Sequence, residues 1–260
     1  MKKFFVFSLF IIIVFLLAFL WPKKESTQVA VSTKPTASSS QKTAATTQGA
    51  TPKQTKPADS SSLSALKAAL NSSYQGQMQM TKNGNITSFD TVDKNQQLAL
   101  RIIMTNKDKD VTDWLKGHLG DYDPIYLYAM AYRMANLQAP AEEFFFWASA
   151  GHLRATADQA LCKDPYVGQY LSILQMDLLQ PGIQLYAQNS EAQNFLANKD
   201  LLVQTMKKAI SWDIQHPQTN SPDWFCKSGH AVTTTDTYPQ NEWHDRRIAL
   251  KKQQAESLYQ

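Results

Sequence analysis

The feature that most constrains this chain is its first quarter, because it removes those residues from any water-soluble core. An apolar run from Phe4 to Trp21, broken only by Ser8, lies between Lys2 and Lys3 before it and Lys23 and Lys24 after it. As a helix it would rise about 27 Å, close to the thickness of bilayer hydrocarbon. A cleaved signal peptide has a shorter core and a small-residue cleavage site, whereas Leu20-Trp21-Pro22-Lys23-Lys24 follows here. Residues 1–24 are therefore read as a transmembrane anchor, with a signal peptide as the alternative. Lysines on both sides leave the orientation open.

Residues 25–62 are Ser, Thr, Ala, Gln, Lys and Pro with almost no large apolar side chain. Such a segment buries too little surface to offset its conformational entropy, so a disordered tether is expected, with an r.m.s. span of about 35 Å. Charge follows the same division. Residues 1–62 carry eight lysines against Glu25 and Asp59, a larger excess than the +4 of the whole chain, so the remainder is slightly acidic. The basic pI thus reflects anchor and tether and gives no reason to expect nucleic-acid binding.

Residues 63–260 have the length and apolar content of one globular domain. Cys162 and Cys226 are its two cysteines. Behind an anchor they suggest one disulfide in an oxidising compartment, although two buried thiols would look the same in sequence. Leu63, Leu66, Ala69 and Leu70 predict a short first helix, and 98–104 and 111–118 two more. The polar stretch between the first two reads as loop with room for a hairpin at Asn83-Gly84. Asp123 is placed as an N-cap and Pro124 as the first helical residue. Leu127, Met130, Ala131, Met134 and Leu137 then recur at three and four, the spacing of one buried face.

Pro140 opens the next helix, with Glu142 and Glu143 where carboxylates complement the helix dipole. Phe144, Trp147, Ala148, Gly151 and Ala155 form its apolar stripe. The two helices make an αα-hairpin joined by Leu137-Gln138-Ala139. Further helices are expected over YLSILQMDLLQPG, ending near 180–182, over IQLYAQNSEAQNFL, over 199–216, and over 242–259 packing through Trp243, Ile248 and Leu250. Residues 217–241 read as irregular. The class is mainly α.

The stretch AYRMANLQAPAEEFFFWASAGHLRATADQA resembles a Sel1-like or tetratricopeptide-type repeat, with small residues and a Tyr in the first helix and an aromatic and small residues in the second. The match occurs once, whereas solenoids stack about three copies. The run of aromatics followed by His-Leu-Arg and a Cys is also similar to bacterial envelope proteins associated with immunity to secreted antibacterial toxins. Neither resemblance brings catalytic residues.

Motifs for chemistry fail on spacing or context. Ser64-x-x-Lys67 borders the tether, and Lys227-Ser228-Gly229 only loosely resembles the Lys-Thr-Gly of penicillin-recognising enzymes. Cys226, His230, His244 and Asp245 match no closed zinc pattern, and Asp121 and Asp123 lack the rest of a calcium loop. No catalytic residue, metal or cofactor is assigned.

The expectation is a non-enzymatic protein-binding domain, single-pass in a bacterial inner membrane through residues 4–21 and facing the periplasm. An immunity protein against an effector toxin is its sharpest form. A scaffold or assembly factor of an envelope machine is the alternative, and an unrecognised enzyme the third reading. The residues that the packing pattern does not use, Tyr126, Arg133, Phe145, His152, Arg154 and Trp224, are the candidates for partner contact.

Overall fold

Ten helices follow one another among the described residues, which are 61–71, 94–164, 167–226 and 237–257 of the computed structural model. They are α1 Ser61–Leu70, α2 Lys94–Thr105, α3 Lys109–His118, α4 Pro124–Asn136, α5 Ala141–Gln159, α6 Val167–Ala187, α7 Ser190–Ala197, α8 Lys199–Gln215, α9 Asp223–Cys226 and α10 Gln240–Ser257; a 3-10 turn, Leu119–Asp121, joins α3 to α4. The expected mainly α class is found, and extended pairing among these residues is limited to one isolated bridge between Cys162 and Thr237. None of the described helices is long and apolar enough to cross a membrane. The apolar run at 4–21, the tether as far as residue 60 and the Asn83-Gly84 turn lie outside the described residues, while Ser61 and Ser62, expected to close the tether, belong to α1.

The first helix starts within two residues of where periodicity put it and buries Leu63, Leu66, Ala69 and Leu70. Helix α4 is the centre of the domain. It is covered by α2, α5 and α6, so Leu127, Tyr128, Ala129, Met130 and Ala131 are all fully buried, not one stripe of them alone. Each large apolar side chain taken from water contributes roughly 1.5–3 kcal/mol, so burial of this helix on all sides is a large contribution to stability.

Helix α4 ends in a tight left-handed turn. Gln138 has φ 53°, the N–H of Ala139 donates to the Met134 carbonyl at 2.9 Å and that of Gln138 to the Ala135 carbonyl at 3.0 Å. This is the Schellman pattern, closed here by glutamine where glycine is usual. The Tyr186 hydroxyl donates to the carbonyls of Met134 and Ala139, tying α6 to the same turn.

Two helix boundaries differ from expectation. Helix α6 runs through Pro181-Gly182 to Ala187 instead of stopping there, and α7 begins afresh after Asn189, whose side chain accepts the Glu191 N–H at 2.8 Å. Proline removes one helical bond, but the helix on both sides of it is held down by Leu178, Leu179 and Tyr186. Gly182 lets it approach so closely that a Cβ there would lie 2.7 Å from the Phe144 ring. The irregular 217–241 region also contains α9 and the start of α10.

Candidate functional site

Helix α5 carries two kinds of surface along its length. Its N-terminal half places Phe144 and Trp147 in the core, 1% and 4% exposed, while Phe145 and Phe146 turn to other helices and stay half-buried. Phe145 stacks on Phe195 of α7 at 5.3 Å between ring centroids and an interplanar angle of 11°. Phe146 meets Trp212 of α8 edge-on at 6.0 Å, and Trp147 meets the same indole at 5.4 Å. Edge-on and offset rings are the favoured arrangements of aromatic quadrupoles.

One helical stripe continues from Trp147 through Gly151 to Arg154 and Asp158, at spacings of four, three and four, and so changes from apolar to charged without leaving the interior. Arg154 is fully buried. Its Nε donates to Asp213 Oδ1 at 2.8 Å, one terminal nitrogen to the Gly120 carbonyl at 2.7 Å and the other to the His216 carbonyl, with the guanidinium 4.7 Å over the Trp212 ring. Gly120 has room for no side chain here, since a Cβ would lie 2.8 Å from the His216 ring.

Asp158, also fully buried, accepts from four directions. Arg247 Nη2 lies 2.7 Å and its Nε 3.2 Å from Oδ1, while Gln218 Nε2 and Trp224 Nε1 donate to Oδ2 at 2.7 and 2.6 Å. Burial raises the pKa of this carboxyl, and the Arg247 charge with the three donors works against that rise. Asp213 takes a second cation, Lys251, at 2.7 Å. Around this network Asp123 is the N-cap residue and Pro124 the first helical residue of α4, as expected, but the Asp123 side chain makes no capping bond and instead accepts from Asn220 at 3.3 Å. Burial, with the Asp158 charge second, pushes the Asp123 carboxyl up to about 7, opposed by Asn220 and Arg247.

The cysteines are joined: Cys162 and Cys226 form a disulfide with Cα atoms 5.1 Å apart, inside the range that a bridge accepts. It closes one turn beyond Asp158, beside the bridge in which the Tyr238 N–H donates to the Leu161 carbonyl at 2.9 Å. The end of α5 therefore gathers α9, the 216–220 segment and the approach to α10.

Five of the six residues expected to face a partner are interior, which corrects that expectation. Arg133 is fully buried on α4, and its guanidinium donates to the carbonyls of Ile103, Asn106 and Asp108 and to Thr112 Oγ1, closing the turn between α2 and α3. Arg154 and Trp224 belong to the network above. Tyr126 is 6% exposed and packs edge-on against Tyr122 at 6.4 Å. His152 is 9% exposed and lies 2.7 Å from Gln175 Nε2, which also donates to the Tyr128 hydroxyl at 3.2 Å. Burial lowers its pKa to about 4, so the ring stays neutral. Phe145 alone keeps part of its surface.

Arginine reaches the interior because its stem is apolar and its planar fork of five donors is satisfied by fixed carbonyls and carboxylates. The sequence reading missed Asp158, Asp213, Gln218 and Arg247. The signal for the first was present: Arg154 and Asp158 stand four apart on the apolar stripe of α5. Nothing local marks Asp213 or Arg247, because their partners are 59 and 89 residues away.

Glu142 and Glu143 are split between neighbouring helices, pairing with Lys208 and Lys116 at 2.5 Å each. Among the described residues no group of three or more His, Cys, Asp or Glu is arranged to hold a metal ion. No protein-family model, curated protein or solved structure matches this chain.

Proposed function

We propose that the domain is a non-enzymatic protein-binding module, carried by the N-terminal anchor and tether and facing the periplasm, with neutralisation of a secreted antibacterial effector as its sharpest form. The observation that carries this reading is the division of labour along α5. Its ionisable residues are used to tie helices together, while Phe145 and Phe146, with Trp212 from α8, leave a half-buried aromatic surface. Aromatic side chains supply large contact area at low entropic cost and dominate the energetics of protein interfaces. The resemblance of the α4–α5 hairpin to Sel1-like and tetratricopeptide-type repeats supports the same class. A long tether suits capture, since it raises local concentration without imposing an orientation.

The partner surface proposed here therefore replaces the earlier set of six by Phe145, Phe146 and Trp212. The test is an affinity titration of the full chain in lipid nanodiscs against the product of the adjacent reading frame, alongside a broad hydrolase assay. Phe146→Ala should weaken binding by about 2 kcal/mol, the size of an interface anchor. Turnover abolished by one polar substitution, with no effect of Phe145→Ala or Phe146→Ala on any protein complex, would overturn the reading in favour of an enzyme. Tight binding to an envelope component in place of the effector would move it to an assembly factor.

A further inference from the structure

Helix α10 inverts the usual layout of a surface helix. Arg247, Lys251 and Gln254 follow at spacings of four and three and point inward; Arg247 is 5% and Gln254 7% exposed, while Ile248 is 52% exposed. No described apolar residue of α10 belongs to the core cluster or is packed against it, although Trp243, Ile248 and Leu250 were expected to dock the helix.

What holds α10 is a set of polar contacts to two elements and one loop. Arg247 binds Asp158 of α5 and the carbonyls of Gln218 at 3.0 Å and Asn220 at 2.7 Å, and Lys251 binds Asp213 of α8. The entrance to the helix is anchored separately. Tyr238 is bonded to Leu161 beside the disulfide, Trp243 Nε1 donates to the Tyr238 carbonyl at 2.7 Å, and the Arg246 guanidinium lies 3.4 Å over the Tyr238 ring.

Two physical consequences follow from this arrangement. The Coulomb attraction of a buried ion pair is largely offset by the desolvation of both ions, so α10 adds little net stability where a helix with an apolar face would add a great deal. Its contacts are also directional and converge on one seat, so they are made or lost together. Elements with few buried apolar contacts open at lower free energy than the core to which they are attached.

We infer that α10 is an electrostatic clasp: a cationic helix seated on the acidic pair Asp158 and Asp213, which lifts as one unit about the anchored residues 237–238 while the helices beneath it stay folded. Lifting uncovers both carboxylates and frees the carbonyls of Gln218 and Asn220. The contacts of the clasp include neither Phe145 nor Phe146; Trp212, the third residue of the proposed partner site, is its neighbour through Arg154, and the exchange experiment reads the clasp without any partner present.

The experiment is amide hydrogen exchange by mass spectrometry on the full chain in nanodiscs, followed through low concentrations of urea. In the wild-type protein, residues 240–257 should exchange at least about tenfold faster than residues 124–159, with a visibly smaller dependence on urea, because their opening exposes less surface than unfolding. Arg247→Met should raise exchange in 240–257 by a further factor of about ten or more and leave 124–150, the part of the body clear of Asp158, unchanged, whereas Ile248→Ala should change neither. Exchange of 240–257 with the same rate and urea slope as 124–159 would overturn the proposal without any variant. So would release of the helix by Ile248→Ala to the extent seen with Arg247→Met.

Discussion

The α4–α6 body and the α8–α10 edge are both attached to α5, yet they are held by different physics. On the body side, Leu127, Met130, Phe144 and Trp147 exclude water and Gly182 brings α6 against the Phe144 ring. On the edge side, Asp158 and Asp213 gather Arg154, Arg247 and Lys251, and a disulfide stands one turn beyond. Apolar packing is additive, tolerant of direction and strong per residue. A buried charge network is conditional, since it is close to neutral when complete and costly when one member is lost. A helical protein can thus recruit peripheral segments without extending its core, at the expense of making them sensitive to single polar changes.

The comparison is tested most severely by Phe144→Ala. The ring touches α6 at Gly182 and lies 5.2 Å from the ring of Tyr186, so its removal should cost about 4 kcal/mol and lower a single cooperative transition in denaturant. Should the edge unfold first and the body remain at its wild-type midpoint, the body would not be the seat of stability.

Asp158→Asn follows, with a loss of about 3 kcal/mol, because Arg247 is left as a buried cation with carbonyls alone and the amide must present a donor to one of the groups now donating to it. Circular dichroism melts beside intrinsic Trp fluorescence would report it, since Trp224 loses its acceptor. A loss no greater than that of an exposed Asp→Asn change would show that the network is decoration.

Dependence on pH separates the regions further. His152, on the body side, is held near 4 against an ordinary 6.5, so its contribution is full above pH 6.5 and is lost as pH falls through about 4, up to about 3 kcal/mol. Asp123, beside the edge, is held near 7 against 3.8, so its contribution is present in acid and is lost as pH rises through about 7. Between these limits the two slopes oppose each other. Urea midpoints from pH 4 to 7.5 should therefore rise more steeply with pH in Asp123→Asn and less steeply in His152→Gln than in the wild type. Unchanged slopes in both variants would contradict the burial assigned to them.

The smallest effect is expected at Gln138. Glycine adopts φ 53° without the strain of a Cβ, so Gln138→Gly should stabilise the body by about 0.5–1 kcal/mol in the same titrations.

These two regions were not equally legible in the amino-acid sequence. Leu63 to Leu70 and Leu127 to Met134 announce buried helices through a period that is local, and the Asp-Pro and Ala-Pro pairs mark where helices begin. Pro181 misled because a local rule, that proline ends a helix, was overridden by packing at Leu178, Leu179 and Tyr186 on either side of it. Ile248 misled in the opposite direction: an apolar residue was assumed to dock α10, and the charged residue before it does so. Five of the six contact candidates proved interior, Phe145 excepted, and for Arg133 and Arg154 the reason is related: their burial is allowed only by acceptors that the fold brings from elsewhere.

Sequence alone determined the helical class, the central hairpin and the pairing open to two cysteines, since each depends on residue types and spacings within a few turns of chain. Only tertiary structure decided that Arg154, Asp158, Asp213 and Arg247 form one interior network and that α10 is seated by charge. The physical reason is that an isolated charged side chain reads as solvent-exposed until an opposite charge, here 59 and 89 residues away, compensates its desolvation.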